Sequence, residues 1–356
     1  MDANSAELTV GQIGERKLIE RLSVLLISVE SDIPLGIGDD CAVVNVSEAP
    51  WRRQVMTTDM LAEGTHFVEV ERADMCLVGH KAMTSNISDI AAMGGKPQYA
   101  LVSLAVPKET KVSKVEDLYR GMASEAAEFG VSIIGGDTIG VGDGHGIVLS
   151  ITLTGVCRDD IPIPMRKSAQ PGQNVYVTGR LGGSRAGMLF LIDSQFASAF
   201  PDATIAETLV HRHLAPKARV SAGAVIAGLC DDLAMIDISD SLMNELGLIC
   251  QASSVCAELS APQLPVFDGV AAVAQFRHES VEDFALYSGE EYELLFCTKV
   301  CETELRSELD RAGLQGLALS RIGTIVARDD SREGPVRVLD ADGRCLPLDD
   351  LTFKHF

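Results

Sequence analysis

The sequence predicts an α+β protein of two domains, an N-terminal mixed sheet with helices and a C-terminal α/β sandwich. Three observations predict it. The 356 residues are 46% apolar, which is enough for large cores and exceeds the usual single-domain size. Strand-like and helix-like patterns mix in both halves instead of segregating. Composition breaks at Asp159 to Gly172, where Pro162, Pro164 and Pro171 cluster, and this divides the chain into 1–158 and 159–356.

In the first half, residues 8–29 read as an amphipathic helix, and Val55 to Thr58 as a strand ending at Asp59. Residues 75–93 read as a helix closed by Gly94-Gly95 and Pro97, followed by a strand from Tyr99 to Val106. Ser113 and Glu116 have capping-box spacing and open a helix to Phe129. Val131 to Ile134 is a strand ending in Gly135-Gly136, and Ile147 to Val156 is a long β-branched strand.

In the second half, strand Asn174–Thr178 leads through the glycine turn Gly179–Gly183 into a helix over 184–193. Residues 194–206 read as a loop, 216–228 as a helix, Ala234–Ile238 as a strand and 241–252 as a helix. Residues 257–282 are poorly periodic and read as a lid or surface insert. Glu293–Cys297 is a strand, 301–312 a helix and Arg321–Val326 a strand.

Charge and cysteine content narrow the function. The chain carries 30 basic and 51 acidic residues, a net charge of −21, which argues against a nucleic-acid partner. An anionic substrate then needs metal ions or a local arginine. The nine cysteines are odd in number, form no Cys-x-x-Cys and lie mostly in apolar runs, so a reducing cytoplasm is expected and a zinc knuckle is not. His211 and His213 fall in a charged helical stretch and read as surface residues. No apolar run approaches the ~20 residues that span a bilayer, so no membrane partner is expected.

The chemistry concentrates in five acidic stretches: Gly38-Asp39-Asp40, Thr57-Thr58-Asp59, Ser88-Asp89, Gly136-Asp137-Thr138 and Asp237-Ile238-Ser239-Asp240. Most sit where an apolar run ends or a glycine turn begins. Carboxylates placed so, beside hydroxyls, suit Mg²⁺ shared with a polyphosphate, because the ion takes oxygen ligands and keeps waters. If they converge, each pair at ~5 Å costs about 3 kcal/mol at an effective dielectric near 20, so cations must compensate. No P-loop, dinucleotide fingerprint, protein-kinase set or nucleophile elbow occurs. Gly135-Gly136 admits close approach of backbone to a phosphate, and Arg166 is a candidate phosphate fork. His66 follows Asp59 by a short turn and is a candidate for facing the acceptor; Tyr119 is either a core aromatic or a stacking face for adenine.

Gly36 to Ala42, Thr57 to Phe67, Asn86 to Pro97, Gly135-Gly136-Asp137, Gly179 to Gly182, His213 to Pro216, Met235 to Asp240, Gly289 to Phe296 and Lys354 to Phe356 resemble the thiamine-monophosphate kinase family, in order from about residue 10 to the end. The resemblance implies the ATP-dependent superfamily of aminoimidazole ribonucleotide synthetase-like enzymes. It implies an N-terminal domain that dimerises through its sheet into a homodimer, and an active site in the cleft between domains. The implied reaction joins ATP and thiamine monophosphate to give thiamine diphosphate and ADP by direct transfer, with several Mg²⁺ ions and K⁺. By motif, Asp40, Thr57, Thr58, Asp59, Asp89, Asp137, Asp237 and Asp240 would bind Mg²⁺, with Asp59, Asp89 and Asp240 the catalytic acids. Gly136, Tyr119, Arg166 and Ser239 would contact ATP, and His66, Glu290 and Phe353 thiamine monophosphate.

The chain departs from the family pattern at Ser241 and Ser288, each in place of a glycine, at Glu291 in place of an aspartate, at Arg166-Lys-Ser-Ala169, and at Ile139-Gly140, where a basic residue is common. These departures bear on the acceptor side and leave the metal set intact. Two alternatives stand beside the kinase: another ATP-dependent enzyme of the same superfamily, and a non-catalytic nucleotide-binding dimer.

Overall fold

The computed structural model describes residues 39–45, 53–142, 144–329 and 334–347. The helix expected over 8–29, the segment before Asp39 and the acceptor candidate Phe353 lie outside the described residues.

Two sheets organise the chain. The first is built from β1 (Ala42–Asn45), β2 (Arg53–Ala62), β3 (Lys96–Pro107), β4 (Ser132–Val141) and β5 (Val148–Cys157), in the order β1-β2-β5-β3-β4. Only β3 and β4 run parallel, so the sheet is mixed as expected. Helices α1 (Met75–Ala92) and α2 (Val112–Glu128) cover its inner face. There Val55, Leu61, Val102, Ile151 and Leu153 meet Met83, Ile87, Leu118 and Met122 in one core. Helix α2 starts at Val112 behind Lys111, which makes no side-chain cap, so the capping-box reading of Ser113 does not hold.

The second sheet contains β6 (Asn174–Thr178), β7 (Ala234–Asp237), β8 (Val255–Ser260), β9 (Leu294–Thr298), β10 (Leu319–Ala327) and β11 (Val336–Leu339), in the order β11-β8-β10-β6-β9-β7. Its helices are α3 (Gly183–Ile192), α4 (Ser194–Ala199), α5 (Ala203–Leu214), α6 (Val220–Leu229), α7 (Leu242–Ser253), α8 (Val270–Arg277), α9 (Val281–Tyr287) and α10 (Glu302–Arg311).

Four stretches differ from expectation. Strand β2 does not end at Asp59 but continues to Ala62, and β4 does not end at Gly135-Gly136 but runs through them and Asp137 to Val141, because each is paired along its length by a neighbouring strand. Residues 194–206 are not a loop: Asp193 and Asp202 cap α4 and α5, Asp193 accepting from Phe196 N and Asp202 from Thr204 N and Ile205 N. Residues 257–282 are not an insert: β8 is a core strand hydrogen-bonded on both sides by β10 and β11. Its Ala257 and Glu258 are weak strand formers, and pairing on two edges overrides that preference.

Helix α1 is the shared element. It is buried nearly all round, because it touches β2, β5 and α2 on one side and α6 and β7 on the other. Any polar residue on it therefore needs a partner, and these residues form the site. All nine cysteines are free, and seven of them are buried or half-buried, as expected of small apolar side chains. Among the described residues, no helix is long and apolar enough to cross a membrane.

Candidate active site

Asp40, Asp89 and Asp237 converge from three separate elements, the turn before β1, the face of α1 and the end of β7. One carboxylate oxygen from each lies within 4.8 Å of the others. Hydroxyls orient them: Thr57 Oγ1 donates to Asp89, and Ser88 Oγ donates to Asp237 Oδ2 at 2.6 Å. Asp59 shares the inner face of β2 with Thr57, and its backbone N–H donates to Asn86 Oδ1 at 3.1 Å. Asp240 sits in the loop between β7 and α7 and accepts from Asn244 Nδ2 at 3.0 Å.

The electrostatics are those of buried acids crowded against one another. Burial, and then the neighbouring Asp59, Asp237 and Asp40, hold Asp89 well above the usual carboxylate range. Burial also pushes Asp40 well up, against the opposing pull of Arg166. Asp237 is pushed up to about 7, chiefly by burial. Asp59 is raised by burial and by Asp240, against a hydrogen bond from Ser85. Asp40 Oδ2 is buried with no hydrogen-bond partner. An orphaned carboxylate oxygen beside two more carboxylates fits a divalent cation, which supplies the missing partner.

The candidate phosphate fork Arg166 pairs through its guanidinium with Asp40 and lies 3.6 Å from Asp39, while its backbone N–H donates to Asp39 Oδ2 at 3.1 Å. It is a built-in countercharge to the acid cluster. Tyr119 on α2 packs, half-buried, against the first core, which leaves part of its ring exposed. Ser239 is exposed, with its Oγ 3.5 Å from Glu245.

Two predicted ligands stand apart. Paired residues in a sheet share a face and neighbours along a strand alternate, so Thr58 points opposite to Thr57 and Asp59. Its Oγ1 donates to Ile151 O at 3.0 Å on the outer face. Asp137 shares that outer face: the register Met60–Ser150–Ser103–Asp137 puts it three strands from β2, roughly 14 Å at ordinary strand spacing. Neither side chain faces the cluster of its own chain. Gly136 lies inside β4 rather than at a strand end, and a Cβ there would sit 1.8 Å from Val102 O, so strand pairing alone requires glycine.

The acceptor candidates do meet. Lys81 Nζ donates to Glu290 Oε1 at 2.8 Å and to His66 O at 2.9 Å. Burial pushes Glu290 up, but Lys81, His213 and His66 outweigh it and hold its carboxyl below the usual range. His66 Nδ1 accepts from Ala62 N at 3.1 Å, so in the neutral ring the proton is on Nε2. The loop carrying Glu290 is stitched to the loop carrying Asp240. Glu290 N donates to Ser239 O at 2.6 Å and Tyr292 N to Ile238 O at 2.9 Å. Gly289 allows this approach, since a Cβ would meet Asp240 O at 2.7 Å.

The departures at Ser241, Ser288 and Glu291 have local reasons. Ser241 caps α7 by accepting from Asn244 N at 3.1 Å. Ser288 Oγ donates to Glu291 Oε1 at 2.6 Å, and Glu291 Oε2 pairs with Arg212 at 2.8 Å. Each hydroxyl replaces backbone freedom with a hydrogen bond.

Sequence reasoning missed Lys81, His213, Glu245 and Tyr292. Glu245 accepts from Ser241 N at 2.8 Å and Asp240 N at 3.2 Å, and burial with Asp240 pushes it up to about 8. Tyr292 is buried and its hydroxyl is pushed well up by burial, then by Glu290, Asp59, Asp237 and Asp89, so it lies between the two groups. His213 is buried, contrary to the surface reading. The sequence signal for Lys81 is its helical spacing from the predicted acid: Lys81, Ser85, Ser88 and Asp89 fall at i, i+4, i+7 and i+8, on one stripe of α1. A wide open cavity of about 1140 Å³, lined by Phe129, Arg180, Lys217, Arg219 and Phe267, contains none of the predicted site residues. Converging carboxylates, not cavity size, locate the chemistry.

Comparison with known proteins agrees. Residues 38–157 match the family described as AIR synthase related protein, N-terminal domain. The thiamine-monophosphate kinase of Bacillus subtilis strain 168 is 31% identical over 328 residues, 92% of this chain and 94% of that protein. That of Escherichia coli K12 is 33% identical over 357 residues, covering 96% and 98%. Among solved structures, AaThiL complexed with AMPPCP and TMP superposes with TM-score 0.80 at 28% identity, covering 99% of this chain and 100% of that one. The HypE–HypF complex matches with TM-score 0.69 at 18% identity and shares the fold. With relatives this similar over nearly its whole length, the chain belongs to the thiamine-monophosphate kinase family.

Proposed function

We propose that this protein transfers the γ-phosphoryl group of ATP directly to the phosphate of thiamine monophosphate, giving thiamine diphosphate and ADP. The observation that carries the reading is the convergence of Asp40, Asp89 and Asp237, with an unpartnered buried oxygen on Asp40. These three, with Asp59 and Asp240 alongside, would hold several Mg²⁺ ions. Bound there, Mg²⁺ neutralises phosphate charge and fixes the transferred group in line with its acceptor.

The remaining work falls to the chain itself. An acceptor phosphate monoester has its second pKa near ~6, so its oxygen is anionic at neutral pH and attack needs no side chain to remove a proton. That oxygen bonds to the γ-phosphorus as the bond to the ADP oxygen breaks, and the electron pair leaves with ADP. Thr57 and Ser88 hold Asp89 and Asp237 in place. Glu290 and His66 face the cationic acceptor, Glu290 offering the opposite charge. Ser239, Tyr119, Gly136 and Phe353 keep the nucleotide and acceptor roles that the resemblance implies, and a K⁺ requirement is part of the same proposal.

The working unit is proposed to be a cytoplasmic homodimer of two-domain chains, divided between β5 and β6. Met60, Tyr99, Leu101 and Ile139 are exposed on the outer face of the first sheet, and among the described residues nothing covers them. Thr58 and Asp137 lie on this same face, so a second copy docked there would meet them. The direct test is incubation with ATP, Mg²⁺ and thiamine monophosphate, with chromatography for the product. Thiamine diphosphate formed only when metal is present supports the reading. No product at saturating substrates and metal overturns it.

A further inference from the structure

We propose that Lys81 is a positioning residue for the phosphate acceptor, a buried clamp that fixes the Glu290 loop against the His66 turn. The inference rests on the reading of Glu290 and His66 as the acceptor side.

Lys81 is 0% exposed. A lysine so placed is kept only where its three donors are used. Its Nζ reaches Glu290 Oε1 at 2.8 Å, His66 O at 2.9 Å and His213 Nε2 at 3.5 Å. Those partners come from the loop before β9, the turn after β2, and α5, so one ammonium ties both halves of the molecule together. His213 continues the chain, with its Nδ1 3.0 Å from Ser184 Oγ. With Nε2 facing an ammonium, the imidazole proton belongs on Nδ1, directed at that hydroxyl.

The loop needs such a clamp. Glu290 has φ +54° and Tyr292 φ +51°, left-handed conformations that non-glycine residues adopt only where the surroundings over-determine them. The backbone bonds to Ser239 and Ile238 hold one side of the loop, and Lys81 holds the side chain that points to the acceptor. Glu290 keeps 24% of its side chain exposed, with Oε2 3.6 Å from His213 Nδ1, so one edge stays open to a cationic ligand. Lys81 therefore acts on the acceptor through Glu290 and His66, and its contacts among the described residues are to these two and His213, not to the acid cluster.

The test compares wild type, Lys81→Met, Glu290→Gln and the double variant in steady-state kinetics, varying thiamine monophosphate and ATP separately, with thermal unfolding of each. The expected result is a rise of about tenfold or more in KM for thiamine monophosphate in each single variant, with kcat and KM for ATP changed less than about threefold. The double variant is expected to be no worse than the worse single one, because both remove the same contact. An equal fall in kcat at unchanged KM, or additive effects, overturns the proposal. If Lys81→Met fails to unfold cooperatively, His213→Gln replaces it, with a smaller KM rise of about threefold expected and an unchanged KM counting against the clamp. If wild type neither binds nor converts thiamine monophosphate, the acceptor reading fails. The clamp is then judged on the melting temperatures alone, where additivity of Lys81→Met and Glu290→Gln overturns it.

Discussion

Asp237 ends β7 with its carboxyl pushed up to about 7, by burial first and by Asp59 and Glu245, against the hydrogen bond from Ser88 and the charge of Arg166. An aspartate in the unfolded chain loses its proton near 3.8. Between those values the folded protein binds more protons than the unfolded one, so metal-free stability falls as pH rises through the window and stays low above it. The full difference is about 4 kcal/mol as a ceiling, and sharing of protons with Asp40 and Asp89 lowers it. The substitution Asp237→Asn puts an amide there that cannot ionise but whose oxygen still accepts from Ser88. Urea unfolding at pH 8 without divalent ions should therefore find Asp237→Asn more stable than wild type by about 2–4 kcal/mol. A neutral amide is a poor substitute for a carboxylate ligand, so Mg²⁺-dependent turnover should fall by about a hundredfold or more in the same variant. Stability and activity would thus move in opposite directions, as expected where a strained functional site is relieved. A variant less stable than wild type without metal, or one that keeps its turnover, would refute the reasoning.

Three further outcomes are expected. Arg166→Ala leaves Asp39 and Asp40 buried without their countercharge and should cost about 3–5 kcal/mol in metal-free urea unfolding, partly recovered by Mg²⁺; an unchanged midpoint would refute the countercharge role. Burial, with Lys81 beside it, holds His213 neutral down to about 3, while the unfolded chain takes up that proton near 6.5, so stability is full above pH 6.5 and is lost as pH falls. Between pH 6.5 and 5.0 wild type should lose about 2 kcal/mol that His213→Asn does not, measured by urea unfolding at both values. Leu101→Glu on the outer sheet face should shift sedimentation from a dimer to a monomer while leaving the circular-dichroism spectrum unchanged, and an unaltered dimer would place the interface elsewhere.

The legible parts of the sequence were those with local causes. A long β-branched run gave β5, while only the middle of β2 was legible, and motif position alone singled out Asp40, Asp89 and Asp237, which three distant elements then bring together. The face that Thr58 takes was readable, since alternation along Val55 to Met60 already sends it opposite to Asp59. Asp137 could not be placed, because its distance from Asp59 depends on the last strand, β5, inserting between β2 and β3. Partners were equally hidden. Nothing local in the sequence shows that Asp39 and Asp40 fold against Arg166, and His213 reads as exposed until α5 packs on α1 with Lys81 behind it. Two helix starts were readable and overlooked, in the capping aspartates Asp193 and Asp202.

The most direct test of the metal-cluster account is anomalous diffraction from crystals grown with Mn²⁺ and a non-hydrolysable ATP analogue. Manganese peaks bonded to Asp40 Oδ2, Asp89 and Asp237, and shared with the analogue's phosphates, are the predicted result. Peaks bound elsewhere, with these three carboxylates bare beside an ordered nucleotide, would contradict it.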